Sequence, residues 1–362
     1  MALGKALSKI LTLFNKFQRV KLAQKIFFVQ QLGVMVKTGI SLSIALKTLG
    51  EQTTAKNFKK ILLDLQQEVE KGNLLSKGLE KYQKTFGELF INMIRAGEAS
   101  GKLEEVLKQL FVQMKKDHDI IAKVRGAMIY PAIVIVMMIV IGILMMIYVI
   151  PNITNIFKEI DAPLPLATRV LITISDFTLA NGLYLVVALV ILITAISFVL
   201  RSPKGKYQFH RLILNLPIAS RIIRKINIAR FCRTLSSLLR TDIPIVQSFE
   251  ITSRILGNVL YREALLKAKE QIKKGISIEQ SLKSHNKLFP PVVLQMVAVG
   301  EETGTLDDIL EESATFYEED VAQTMNDLPT IIEPVLMVIL GIAVAGMAVA
   351  VIMPMYSLGE QL

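Results

Sequence analysis

The chain has 362 residues, 52% of them hydrophobic, with a mean hydropathy of +0.48 and a formal net charge of +11. Ordinary soluble proteins are less apolar, so this composition excludes a simple soluble domain and predicts membrane-spanning segments. The single cysteine, Cys232, excludes an intrachain disulfide, and its place among apolar residues predicts a buried thiol.

Residues 1–24 predict an amphipathic N-terminal helix. Leu3, Leu7 and Phe14 recur at helical spacing, with lysines such as Lys5 on the other side. Two interpretations are open: the helix lies on anionic lipid or on the adjoining domain, or it docks a partner. The alternation of basic and apolar residues lacks the cleavable apolar core of a signal peptide.

Two blocks, residues 25–127 and 201–329, each predict a cytoplasmic bundle of about six helices. In the first block, helical runs end at Gly39 and Gly72, and a long helix with an apolar stripe begins at Leu103. Neither block contains a β-hairpin signal. The predicted fold class is an all-α membrane protein with two homologous helical-bundle domains.

Three apolar stretches have the length of a transmembrane helix: residues 128–150, 183–200 and 330–353. The first two carry no charged residue, and the third carries Glu333 near its start. We therefore expect three membrane spans.

The distribution of basic residues predicts the orientation of these spans. Residues 1–127 hold 22 lysines and arginines and residues 201–328 hold 18, whereas residues 151–182 hold two and the tail 354–362 holds none. The positive-inside rule places the N-terminus and both large blocks in the cytoplasm, and the short loop and the tail outside. This topology explains the net charge without a nucleic-acid partner.

The chain repeats itself at a constant offset of 203 positions, with roughly 22 identities between residues 28–151, here called repeat 1, and residues 231–354, repeat 2. Each repeat contains a Gly-Glu-x-x-Gly-x-Leu turn and then an apolar run bracketed by two prolines. The matching residues are Gly97, Glu98 and Gly101 with Gly300, Glu301 and Gly304, and Pro131 and Pro151 with Pro334 and Pro354. We predict that these residues form a structural motif at a helix–helix turn and at the ends of two spans.

The two repeats differ in charge after this turn. Repeat 2 carries an acidic stretch from Glu301 to Asp320, where repeat 1 has several lysines. The stretch is interpreted as a solvated helix face, as a contact face for a basic partner or for the other repeat, or as a nonspecific cation site. The basic residues from Arg221 to Arg233 are its counterpart, and some of them are expected to anchor the second span.

Glu333 is an ionisable group at the start of the third span, next to Pro334, which permits a helix kink. One interpretation places Glu333 at the level of the membrane interface, where water solvates it. The other places it inside a helix bundle as a structural or mechanical site, because carboxylates within a membrane usually face protein or water.

The sequence lacks the motifs that an enzyme requires. There is no phosphate-binding loop and no pair of histidines at metal-ligand spacing. The Gly-Glu turn at Gly97 is not a nucleophile elbow, because no strand precedes it. We predict a protein without enzymatic activity, without a cofactor and without a metal.

The duplicated helical domains, each with a Gly-Glu turn and a proline-bracketed span, resemble the type II secretion F-domain family. The usual glycine after the threonine of the opening turn is Asp242 in repeat 2, whereas repeat 1 keeps Gly39. The resemblance covers about residues 20–357. The motifs that carry it are Lys123-Val-Arg-Gly-Ala-Met-Ile-Tyr-Pro131, Ile332-Glu-Pro334 and Leu235-Ser-Ser-Leu-Leu-Arg-Thr-Asp-Ile-Pro244.

The resemblance implies a non-enzymatic, polytopic inner-membrane platform protein of a type IV pilus or type II secretion system. The implied partners are a hexameric cytoplasmic assembly or retraction ATPase, pilins or pseudopilins, and other inner-membrane assembly proteins. A homodimer or higher oligomer is the implied state. The alternative is a small membrane transporter or channel subunit, since internal repeats also occur there. Against it, the duplicated part is mostly soluble, and the spans carry few polar residues to bind a solute.

Overall fold

The computed structural model describes residues 20–152, residue 154 and residues 166–359, and within these ranges it contains helices and no strand. The predicted all-α fold is therefore confirmed. Most of the predicted N-terminal helix of residues 1–24, part of the loop 151–182 and the last residues of the tail lie outside the described residues.

Repeat 1 folds into short helices that lead to one long helix. Apolar residues recur at helical spacing in these segments and form the buried face of each helix. In residues 56–70, for example, Phe58, Ile61, Leu62 and Leu65 are buried along one face. The helices are α1 (Leu22–Lys37), α2 (Leu42–Gln52), α3 (Lys56–Glu70), α4 (Leu75–Glu80), α5 (Gln83–Phe86), α6 (Glu88–Ser100) and α7 (Leu103–Leu144).

A π-helical turn, Met145–Val149, follows α7 directly and interrupts the regular helix that the sequence predicts for residues 128–150. Three helices then connect the repeats: α8 (Leu166–Ala180), α9 (Gly182–Arg201) and α10 (Pro203–Ile213). Thus much of the predicted external loop is the helix α8.

Repeat 2 follows the same order as repeat 1. Its helices are α11 (Pro217–Arg240), α12 (Ile245–Ile255), α13 (Val259–Ile272), α14 (Ile278–Lys283), α15 (Pro291–Thr303) and α16 (Leu306–Gly359). The helices α4 and α14 begin 203 positions apart, as do α7 and α16, so the sequence repeat is also a structural repeat.

The two repeats build their cores around aromatic rings at equivalent positions. In repeat 2, the hydroxyl of the buried Tyr261 donates a 2.8 Å hydrogen bond to the carbonyl of Leu288, which satisfies its only polar group. Ring centroids in both cores lie between 4.9 and 6.2 Å apart. The matched rings are Phe28, Phe58 and Phe86 in repeat 1 and Phe231, Tyr261 and Phe289 in repeat 2.

The described residues of 1–121 and 210–321 form one compact unit that contains the helical bundles of both repeats. Leu238, Ile243 and Ile251 of repeat 2 belong to the apolar cluster of repeat 1. The two bundles are consequently one folded body with a shared apolar contact.

The described residues of 122–209 and 322–362 form a second unit. Three helical segments of the described chain are long and apolar enough to cross a membrane: Leu103–Asn152, Gly182–Arg201 and Leu306–Gly346. They contain or overlap the three stretches predicted from the sequence. Most of their apolar side chains are exposed in the protein, as expected for side chains that face lipid.

Candidate functional site

The glutamates of the two Gly-Glu turns hold the first turn of another helix. The carboxylate of Glu98 accepts hydrogen bonds from the backbone N–H groups of Leu75 (2.6 Å) and Ser76 (3.0 Å), the first residues of α4. In repeat 2, both oxygens of Glu301 accept from the N–H of Ile278 (3.0 and 2.9 Å), at the start of α14. A carboxylate at a helix N-terminus satisfies free N–H groups and interacts favourably with the helix dipole.

The first glycine of each turn lets two helices approach closely. A Cβ atom on Gly97 would lie 2.8 Å from Cγ2 of Val106. A Cβ atom on Gly300 would lie 2.9 Å from the backbone Cα of Leu306. Both distances are shorter than van der Waals contact, so the packing of α6 on α7 and of α15 on α16 requires glycine there.

The second glycine of each turn ends a helix. Gly101 has φ 71° and Gly304 has φ 73°, in the left-handed region that glycine adopts without strain. The next helix begins two residues later in both repeats. The described geometry of the Gly-Glu turn is thus that of a helix–helix connection, and its role beyond structure stays a prediction.

Asp242 occupies the left-handed turn where repeat 1 has Gly39. Its φ is 59°, against 79° for Gly39, and it is the one non-glycine residue with positive φ in the described chain. The carboxylate of Asp242 accepts a 2.8 Å hydrogen bond from Nζ of Lys102, which directly follows the Gly-Glu turn of repeat 1. Asp242 raises the pKa of Lys102, through this hydrogen bond first and its charge second. The departure from glycine therefore links the two repeats.

Further polar contacts join α7 of repeat 1 to α11 of repeat 2. The side-chain amide of Gln113 donates to the hydroxyl of Thr234 and accepts from the hydroxyl of Ser237, both at 3.4 Å. Nε of Arg230 donates to Oδ1 of Asp117 at 3.2 Å. These groups lie between two packed helices, where an unpaired polar atom is costly, so each contact also fixes how the repeats fit together.

Two ion pairs extend this region. Arg254 of α12 pairs with Glu88 of α6 at 2.6 Å, and Lys116 of α7 pairs with Glu318 of α16 at 3.0 Å. We call the whole set the seam. The seam consists of Glu88, Lys102, Gln113, Lys116 and Asp117 in repeat 1, Thr234, Ser237, Asp242, Arg254 and Glu318 in repeat 2, and Arg230, which directly precedes repeat 2 on α11.

Arg233 is buried beneath the seam, with 3% of its side chain exposed. Its guanidinium donates to both oxygens of Glu318, at 2.7 and 2.9 Å, and to Oγ1 of Thr315 at 3.1 Å. It also contacts Glu311. Buried charges require such paired partners, because the loss of hydration is otherwise uncompensated. The prediction that some basic residues here anchor the second span therefore does not apply to Arg233.

The acidic stretch of repeat 2 is largely paired with basic residues of α11. Arg240 pairs with Asp308 at 2.6 Å, and Lys225 pairs with Asp320 at 2.7 Å. Together with the Arg233 contacts, these pairs tie α16 to α11. The described residues contain no group of three or more histidine, cysteine or acidic side chains arranged to hold a metal ion.

Cys232 is fully buried, as the sequence predicts. Burial raises the pKa of its thiol to about 12. The thiolate, which is the nucleophile, is therefore scarce at neutral pH.

In the second unit, the π turn and Pro151 leave the backbone carbonyl of Met146 without a helical N–H partner. The N–H of Ile150 bonds to the carbonyl of Met145, five residues back, instead of that of Met146. Pro151 has no N–H to offer to Met146 in its place. The hydroxyl of the buried Ser175, in α8, donates to the Met146 carbonyl at 2.9 Å.

The other predicted residues of the membrane region lie separately. Pro131 is inside α7, and Pro334 and Pro354 are inside α16. Glu333 is half-buried, and no hydrogen bond or ion pair reaches it from the described part of the chain. The structure does not bring these residues together with the Gly-Glu turns, and their roles stay predictions.

Sequence reasoning missed the residues that the seam and the π turn use, among them Gln113, Ser237 and Ser175. A signal was available for two of them. At the offset of 203, Gln113 is matched by Phe316 and Ser237 by Val34, so polar residues in one repeat stand where the other is apolar. For Ser175 there was no such signal, because it lies outside the repeats.

Comparison with known proteins gives a consistent result. A family model described as type II secretion system (T2SS), protein F, matches residues 28–151 and 231–354, the two repeats. The type IV pilus assembly protein PilC of Pseudomonas aeruginosa is 32% identical over 361 residues, covering 98% of this chain and 95% of that protein. PilC of Thermus thermophilus is 36% identical over 331 residues, covering 91% and 81%. The type II secretion system protein F of Pseudomonas aeruginosa is 30% identical over 331 residues, covering 91% and 82%.

Proposed function

Because this chain belongs to the type II secretion system protein F family, we propose that it is the inner-membrane platform of a type IV pilus or type II secretion machine. In this role it has no catalytic activity. It couples a hexameric cytoplasmic ATPase to the polymerisation of pilins or pseudopilins, together with other inner-membrane assembly proteins. The names of the relatives, some in pilus assembly and some in secretion, support this class of machine.

The observation that carries the proposal is the continuity of two helices. The helix α7 begins at the Gly-Glu turn of repeat 1 and runs unbroken for 42 residues. The helix α16 begins at the Gly-Glu turn of repeat 2 and runs for 54 residues. Each helix contains a candidate membrane span. A continuous helix resists bending, so it can transmit a movement made at one end to the other.

The orientation of the chain is part of the proposal. The N-terminus and both repeats lie in the cytoplasm, where the ATPase is, and residues 151–182 and the C-terminus lie outside, as the basic residues favour. A reporter active only outside the cytoplasm, fused after residue 362, should be active. The same reporter inserted after Gly205, beyond the second span, should be silent.

The first experiment measures binding of the full-length protein, in detergent, to the assembly ATPase of the same machine, together with the rate of ATP hydrolysis. We expect co-purification. Absence of binding under conditions where both proteins are folded would argue against the platform role.

The second experiment tests coupling through α7. Insertion of a flexible Gly-Ser segment after Arg125 should abolish pilus or pseudopilus assembly while ATPase binding persists. A matched insertion between Gly275 and Ile276, in the turn after α13, serves as the control for the added length. Normal assembly by the Arg125 insertion would contradict transmission through the helix.

A further inference from the structure

The seam joins the repeats through two different faces. Repeat 2 contributes the outer side of α11 and the adjoining part of α16, here called face A. Repeat 1 contributes one side of α7, here called face B. Since both repeats have the same fold, each also carries the other face at positions offset by 203. Face A of repeat 1 and face B of repeat 2 therefore exist and are not used in the seam.

The unused faces carry an exposed apolar residue at two positions where the seam has a buried polar one. Ser237 in the seam is 1% exposed, whereas its counterpart Val34, on face A of repeat 1, is 52% exposed. Gln113 in the seam is 2% exposed, whereas its counterpart Phe316, on face B of repeat 2, is 60% exposed. If the seam joined identical faces, Val34 and Phe316 would be buried as Ser237 and Gln113 are. They are exposed, so the seam joins two different faces and is a heterologous contact.

Face A of repeat 1 also contains an open groove. The groove is a cavity of about 250 Å³ between α1 and α7. Its floor is apolar, and polar side chains border it. The apolar lining residues are Val29, Gly33, Val34, Leu107 and Phe111, and the polar ones are Gln30, Lys37, Glu104 and Lys108. In repeat 2, the position equivalent to Gly33 is Ser236, whose hydroxyl bonds to the carbonyl of Asp307 at 2.9 Å. Polar contacts thus occupy this position in repeat 2, while repeat 1 leaves an opening at the same place.

One pair of charges on the unused faces is complementary as well. In the seam, Lys116 of face B pairs with Glu318 of face A. The counterparts are Glu319 on the unused face B and Lys115 on the unused face A, both exposed. The signs are exchanged, yet the pair is again of opposite charge. An attractive contact at this position is therefore available to the unused faces.

We propose that face A of repeat 1 binds face B of repeat 2 in a second copy of this chain. The contact repeats the geometry of the seam between copies, with Phe316 of one copy against Val34 at the groove of the other, and Glu319 beside Lys115. Exposed apolar surface bordered by charges is typical of such an interface. The smallest closed assembly is a dimer with two of these contacts, so that every face is occupied.

Cysteine cross-linking in membranes tests the proposal with the full-length chain. Copies with Val34→Cys and copies with Phe316→Cys, carrying different tags, are produced together and oxidised. The native Cys232 is retained, since it is fully buried, and the native chain is the background control. We expect a disulfide-linked pair that contains both tags. Lys77→Cys, exposed on α4, replaces Val34→Cys in the matched control and should give no pair.

The outcomes are distinct. Cross-linking of Val34→Cys copies with each other would indicate a contact between identical faces and overturn the proposal. Failure of the mixed copies to cross-link, as when residues 1–19 or another protein cover face A, would also overturn it.

A second measurement uses charge exchange. Phe316→Asp should weaken self-association of the detergent-solubilised protein at least about tenfold, because it buries an unpaired charge in the contact. Lys115→Glu and Glu319→Lys should each weaken association, and the chain with both substitutions should recover it. These three residues are exposed, so helix content should stay unchanged. A double variant weaker than either single variant would contradict the pairing.

Discussion

Repeats 1 and 2 share the geometry of their Gly-Glu turns and differ in the side chains that lie between their first and last helices. Both Gly-Glu turns place a glutamate at the start of a short helix 23 residues earlier in the chain. Between α11 and α16, repeat 2 has the buried Arg233 with its carboxylates, whereas the matching position in repeat 1 is the exposed Gln30. The backbone geometry of the turn tolerates few residues, so it is retained, while the helix faces have specialised.

The largest effect is expected when the buried charge of repeat 2 is removed. Arg233→Met leaves Glu318 and Glu311 without their main partner and should lower the free energy of unfolding by about 3–5 kcal/mol. The matched change in repeat 1, Gln30→Met, lies on the surface and should cost less than about 0.5 kcal/mol. Denaturant unfolding of the detergent-solubilised protein, followed by circular dichroism, measures both. Equal effects would show that the repeats do not differ in this way.

The next effect compares the first glycines of the two turns. In Gly300→Ala the new methyl group meets the backbone of Leu306, which cannot rotate away, and we expect a loss of about 2–3 kcal/mol. In Gly97→Ala the nearest atoms are Cγ2 and Cβ of Val106, at 2.8 and 3.0 Å. The Cγ2 methyl group can rotate away but the Cβ atom cannot, so a smaller loss of about 1–2 kcal/mol is expected. The same unfolding measurement ranks the two variants, and the reverse order would contradict the assignment of backbone contact to repeat 2.

The capping glutamates provide a smaller difference. Glu98 accepts from the N–H groups of two residues, so Glu98→Gln loses one acceptor and should cost about 1.5 kcal/mol. Glu301 accepts from one N–H group, and the oxygen kept in Glu301→Gln still serves it, so less than about 1 kcal/mol is expected. Amide hydrogen exchange at Leu75 and Ile278 reports on each cap separately.

The smallest effect concerns the left-handed turn after the first helix of each repeat. Gly39→Ala meets no neighbouring atom, so its cost is backbone strain alone, about 1 kcal/mol. Asp242→Gly relieves such strain but loses the exposed pair with Lys102, and the two effects should cancel to within about 0.5 kcal/mol. A loss above about 1 kcal/mol for Asp242→Gly would mean that the pair with Lys102 is a major link between the repeats.

Helix positions and the repeat were predictable because both leave a local or periodic trace in the sequence. The left-handed glycines and the helix–helix connection at Gly97 follow from residue type alone. The partner of Glu98 could not be predicted from residue type, because Leu75 is distant in the chain and donates from a backbone N–H group that nearly every residue has. The sequence placed Arg233 among the basic residues that are the counterpart of the acidic stretch, some of which were expected to anchor the second span, and it did not single out Arg233 as the buried partner of Glu318. Only the packing of α16 against α11 reveals the buried pair.

The seam was not predicted for a related reason. Nothing in a duplicated sequence states whether its copies contact each other or which faces they use. The polar residues of the seam became informative only after the fold showed where each lies relative to its counterpart in the other repeat.

The hydrogen bond from Ser175 to the carbonyl of Met146 has a consequence for the order of synthesis. Residue 146 emerges from the ribosome 29 positions before residue 175. During that interval the end of the first span carries a carbonyl with no protein partner, and such a group resists transfer into lipid. The first span therefore gains its full set of backbone partners only after α8 has been made.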